Sequence, residues 1–171
     1  MIFVLSFIFA TGMSYAQTRD PYAGFFQQNF GDLSDELVTA REEGKKGVFI
    51  MFDDKNCPWC AKMKATVLNQ VRVQDYYRQY FRIIRVDVNG DAMIIDFKGN
   101  ELTEKAFAEQ ARVRATPVME FYDLSGKPVH RYTGATRSVD EFMWLGEFVV
   151  NEIYKNKRFP VYKREKKKAG I

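Results

Sequence analysis

The chain of 171 residues contains only two cysteines, and they stand three positions apart in Cys57-Pro58-Trp59-Cys60. Residues i and i+3 of a helix share a face, so two sulfurs at this spacing are close enough to bridge. A disulfide scaffold needs several bridges spread along a chain, and so short a loop removes little entropy from the unfolded state. Structural zinc needs about four ligands, whereas the chain offers two cysteines and the single, distant His130. Thiol–disulfide exchange is the chemistry that remains. Cys57, the more exposed sulfur, would attack a substrate disulfide as thiolate, and Cys60 would then attack Cys57 and release the reduced substrate.

The elements around the motif are those such chemistry needs. Val48–Phe52 is an apolar run with the length of a strand buried on both faces. Asp53, Asp54, Lys55 and Asn56 read as a polar turn, and a helix is expected from Pro58 to about Tyr80, with Met63, Val67, Leu68 and Val71 on its apolar face. Cys57 then lies at a helix N-terminus, where unpaired N–H groups and the positive dipole end favour a thiolate. Cysteines so placed have pKa values of roughly 3.5–7.5 instead of about 8.5. Pro58 suits the first helical turn, where its missing N–H would be unpaired anyway. Trp59, at the mouth of the motif, offers an aromatic grip on substrate, and Lys62 and Lys64 add positive field.

Upstream, residues 17–33 read as a leader, and Ser34 is expected to cap a helix reaching Glu43. Downstream, the expected elements are a strand over Phe81–Val88, a loop with a short hairpin over 89–102 and a helix over Thr103–Val113. A hairpin of Pro117–Tyr122 with Pro128–Tyr132 follows, and then a helix capped by Ser138 that reaches Tyr154. Phe142, Trp144 and Phe148 fall at helical spacing as core. The order β-α-β, helix, β-β-α predicts an α/β fold: a mixed central sheet flanked by helices, its first two strands parallel and its last two antiparallel. From Lys155 onward a strongly basic tail over 155–171 reads as a solvated, frayed end, with contact to anionic lipid or an acidic partner as the other reading.

Hydrophobic residues make up 46% of the chain and aromatics 15%, ample for a packed core, which excludes a wholly disordered polypeptide. The formal charge of +4 and the lack of nucleic-acid-binding motifs argue against nucleic acid as a partner. Ile2–Ala10 is apolar apart from Ser6, and Ser14 and Ala16 flank Tyr15 as small residues. This patterns as a signal peptide over residues 1–16, cleaved before Gln17, although no basic residue precedes the apolar run. An uncleaved anchor is the alternative. Either reading puts the folded part, residues 34–154, in an oxidising space.

Beyond these local readings, VFIMFDDKNCPWC with its following helix, and RATPVMEFYDLSGK further on, resemble the thioredoxin superfamily. The resemblance spans residues from about 34 to 153. It implies a thioredoxin-like fold in which Pro117 is cis and packs against the cysteines. The backbone of Thr116 would then be free to pair with an extended substrate. Pro58, Trp59, Thr116 and Pro117 are thus expected to bind substrate, and Cys57 and Cys60 to be catalytic. Within the superfamily, VLNQVRVQDYYRQYF, RVRATPV and RYTGATRSVDEFMWLGEFVV are similar to exported thioredoxins of the SoxW type, associated with sulfur oxidation. This implies a monomeric periplasmic reductant of protein disulfides, with no cofactor beyond the Cys57–Cys60 disulfide and with a membrane or periplasmic electron donor.

The chain departs from the family at several points. Asn56 replaces the usual Trp before the first cysteine, and Pro58-Trp59 replaces Gly-Pro. Met51 occupies the position of a buried acid that accepts a proton from the second thiol. Asp53 or Asp54 offers a substitute, but both are expected to be solvated turn residues. Proline followed by an aromatic also resembles glutaredoxins, so a glutathione-linked cycle is one alternative. A peptide-binding module with incidental cysteines is the other.

Overall fold

The computed structural model describes residues 17–170, so the expected signal peptide lies outside the described residues. The elements run α1 (Pro21–Gly24), α2 (Leu33–Glu42), β1 (Gly47–Asp53), α3 (Pro58–Thr66), α4 (Val71–Tyr80) and β2 (Phe81–Asp87). They continue with β3 (Met93–Ile95), β4 (Glu101–Thr103), α5 (Glu104–Gln110), β5 (Val118–Tyr122) and β6 (Pro128–Thr133). The chain finishes with α6 (Val139–Val150), a 3-10 turn (Ile153–Lys155) and α7 (Phe159–Lys168).

The central sheet has the order β2-β1-β5-β6. β1 pairs parallel to β2 and antiparallel to β5, and β5 pairs antiparallel to β6. β3 and β4 form a separate antiparallel hairpin that runs one residue past the expected 89–102 loop, to Thr103. The mixed sheet flanked by helices is the expected architecture.

Alternation along β1 splits the core in two. Val48, Ile50 and Phe52 face a cluster with Leu33 and Leu37 of α2 and Phe107 of α5. Phe49 and Met51 face the other cluster, with Phe121, Tyr77, Phe142, Phe148 and both cysteines. Phe142, Trp144 and Phe148 are buried, as their spacing indicates.

Three local expectations are corrected, and the leader acquires a definite structure. The cap of α2 is Asp32, not Ser34, because its carboxylate accepts the amides of both Ser34 (2.8 Å) and Asp35 (3.1 Å). The long helix after Pro58 is two helices, broken over residues 67–70. At the break, backbone groups bond to the leader: Arg19 N–H donates to Asn69 O (2.7 Å) and Val71 N–H to Gln17 O (3.0 Å). The leader itself is packed structure. Phe25 is fully buried, and a methyl group on Gly24 would collide with the buried Gln74 side chain. The basic tail is not frayed, because α7 docks through the buried Phe159 against Phe148 and His130. Lys163 and Lys166 tie it to Glu141 and Glu147 of α6, each at 2.8 Å.

Candidate active site

Cys57 is the N-cap of α3. Its extended backbone (φ −82°, ψ 110°) turns the chain out of the β1 end and into the helix, with Pro58 in the first turn. Asp54 shapes the approach: its carboxylate accepts the Asn56 amide (2.8 Å), and its carbonyl accepts the Cys57 amide (3.0 Å). Residues with short acceptor side chains favour turns of this kind.

Cys57 and Cys60 form a disulfide, with their Cα atoms 5.3 Å apart. The Cys60 amide donates to the Cys57 sulfur at 3.1 Å. That N–H is one of the helix-head donors with no partner inside the helix, and its acceptor here is the sulfur. The same sulfur lies 3.4 Å from the carbonyl oxygen of Thr116, and the Thr116–Pro117 peptide is cis. In the disulfide this sulfur carries no proton. In the dithiol a Cys57 S–H could donate to that carbonyl, and a thiolate would keep only the amide contact.

The two sulfurs differ in access: Cys60 is 0% exposed and Cys57 8%. An incoming group therefore meets Cys57 first. Pro58 and Trp59 flank it on the solvent side, Trp59 being 57% exposed, with Lys62 Nζ 5.4 Å from the centre of its ring. Thr116 is partly buried and Pro117 buried. The structure thus gathers Cys57, Cys60 and Thr116 around one sulfur, with Trp59 projecting beside them.

Met51 packs in the cluster that contains both cysteines. Asp53, expected in solvent, is fully buried instead. It follows Phe49 and Met51 by period two and so faces the layer under α3. Its carboxylate pairs with Lys64 of α3 (2.8 Å) and Arg85 of β2 (3.4 Å) and accepts the Asp54 amide (2.8 Å). Burial works to lower the Lys64 pKa, but hydrogen bonds with Asp53 and the Tyr22 hydroxyl outweigh it and raise the pKa. The Lys64 charge is therefore spent on Asp53. Asp54 stays at the surface, where its other oxygen accepts the Asn89 side chain (3.1 Å).

A second wall of the site was not read from the sequence. The Gly134 amide donates to the Pro117 carbonyl at 2.8 Å, which fastens the loop after β6 beside the cysteines. A cavity of about 410 Å³ opens there between Trp59, Lys62 and residues 134–137. The local signal was slight: Thr-Gly-Ala-Thr marks a turn, and only the β5–β6 pairing brings it to the motif. His130 lies in a different place, in the aromatic cluster of Phe148 and Phe159.

A family model described as a thioredoxin-like domain matches residues 33–149. A thioredoxin-fold protein from Helicobacter pylori is structurally similar, with a TM-score of 0.68 and 20% identity, covering 87% of this chain and 98% of that one. A thioredoxin from Thermus thermophilus has a TM-score of 0.56 and 22% identity, covering 74% of this chain and 87% of its own. No curated protein matches the chain significantly. The match to the family model covers most of the chain and includes both cysteines, at the head of α3, the position from which a thiol–disulfide oxidoreductase works. The chain belongs to the thioredoxin-like domain family.

Proposed function

We propose that the protein is an exported thiol–disulfide oxidoreductase that reduces disulfides of other proteins in the periplasm. The observation that carries this reading is the Cys57 sulfur. It caps a helix, accepts the Cys60 amide at 3.1 Å and lies within reach of solvent beside Thr116.

In the forward direction the Cys57 thiolate attacks one sulfur of a substrate disulfide. A Cys57–substrate disulfide forms, and the other substrate sulfur leaves as a thiolate that takes a proton. Cys60 loses its proton and attacks the Cys57 sulfur, and the second substrate thiolate leaves. The protein is oxidised to the Cys57–Cys60 disulfide, and the substrate is reduced to a dithiol. A dithiol donor, in the membrane or the periplasm, returns the two electrons.

The direction rests on electrostatics. Strong oxidants stabilise the nucleophilic thiolate heavily. Here Trp59 carries no charge and Lys64 is neutralised by Asp53, which leaves the helix head and the solvent-exposed Lys62 beside Trp59 as the sources of positive field. Potentials in such proteins run from about −270 mV for reductants to about −120 mV for strong oxidants. A value in the reducing half of that range is expected here by equilibration with glutathione, and one near the oxidants would reverse the direction.

The main test is substrate trapping. Cys60→Ser removes the resolving sulfur while Cys57 can still attack. Expressed with its export segment, this variant should accumulate mixed disulfides with periplasmic proteins that dithiothreitol releases. Cys57→Ser should yield none. Equal capture by both variants would mean that the fold binds partners without redox chemistry.

A further inference from the structure

We infer that the cavity beside Trp59 holds a carboxylate side chain of the substrate polypeptide, next to the cysteine under attack. The inference names a substrate class for the proposed reaction and rests on that reading. Two of the cavity's walls are tied to the residues around the nucleophile. Trp59 lies between the cysteines, and the 134–137 loop is hydrogen-bonded to Pro117.

Its lining is one-sided in charge. Lys62 and Arg137 border it, and no acidic residue does. Neither side chain makes an ion pair among the described residues, although the structure pairs Lys64, Arg72, Arg85 and Lys163 with carboxylates. The neighbouring Glu141 is already held by Lys163 and the Tyr132 hydroxyl, each at 2.8 Å.

The third feature is Thr136. It is 7% exposed, lines the same cavity, and its hydroxyl oxygen is buried with no hydrogen-bond partner. An unpaired buried hydroxyl is costly, and an incoming acceptor recovers the bond. A carboxylate would accept from this hydroxyl and face the two cations at once, which an amide side chain cannot match. The cleft on the far side of Thr116 gives no such selection. It is lined by Asp54 and Glu109 as well as Lys105 and Arg114.

The test uses three disulfide peptides that differ only beside the cysteine, carrying Glu, Gln or Lys. Second-order rates of reduction by the dithiol protein are compared. The Glu peptide should exceed the Gln peptide by about tenfold, from two exposed ion pairs worth a few-fold each, and the Lys peptide should be slowest. The preference should fade at 1 M salt, where the Debye length is about 3 Å. In the K62Q/R137Q double variant the Glu-to-Gln ratio should fall toward one. Thr136→Val should slow the Glu and Gln peptides alike, several-fold and at any salt concentration, because either side chain can accept from the hydroxyl. Equal rates for the three peptides would overturn the inference while leaving the Cys57 chemistry standing. No reduction of any peptide would overturn the redox reading itself.

Discussion

Asp53 and Lys64 form a buried ion pair at 2.8 Å that joins the end of β1 to the helix carrying Cys60. Arg85 closes the pair from β2 at 3.4 Å. A carboxylate from a strand end and an amine one helical turn beyond Cys60 thus fix α3 on the sheet.

Breaking that pair should be expensive. Asp53→Asn leaves Lys64, only 12% exposed, without its counter-charge. A loss of about 3 kcal/mol is expected, in line with removal of one partner from a buried pair. Urea unfolding of oxidised protein measures it. A change under about 0.5 kcal/mol, the range of an ordinary surface substitution, would mean that Asp53 is solvated in solution.

His130 gives stability a pH dependence of its own. Burial lowers its pKa from 6.5 to about 4. Between those values the unfolded chain binds a proton that the folded chain refuses, so stability falls as pH drops through this window. The shift corresponds to at most about 3 kcal/mol, and solvent screening of the partly exposed ring brings the expected loss to about 2 kcal/mol. His130→Phe, which keeps an aromatic ring beside Phe148, should flatten the stability curve between pH 6.5 and 4.5. An unchanged slope would assign the loss to other groups.

Docking of α7 should depend on one ring. Phe159 is 4% exposed and packs 5.3 Å from Phe148, centre to centre. Phe159→Ala is expected to cost about 3 kcal/mol and to expose residues 159–168 to fast amide exchange. A solvated tail would show neither effect.

The sequence made the site's centre legible and left its surroundings obscure. The Cys57–Cys60 spacing, the buried strand before it and the proline after Thr116 are local patterns, and local patterns carry their own geometry. The break between α3 and α4 is different. No Gly or Pro marks residues 64–80, and Met63, Val67, Leu68 and Val71 keep helical spacing across it. What ends α3 is the leader, whose backbone captures Asn69 O and Val71 N–H. Asp53 is obscure for the same reason: its neighbours in sequence match a turn, and its partners Lys64 and Arg85 lie on other elements. The tail looks solvated because its charge outweighs its single buried anchor, Phe159, in composition.

The most direct measurement is the acidity of Cys57 in the reduced protein, followed by thiolate absorbance near 240 nm with Cys57→Ser as the control. A helix-head amide held on the sulfur should bring the pKa below about 7.5, and the same variant should lose all exchange with a dithiol substrate. A Cys57 pKa at or above about 8.5, with exchange surviving in Cys57→Ser, would contradict the assignment of that sulfur as the nucleophile.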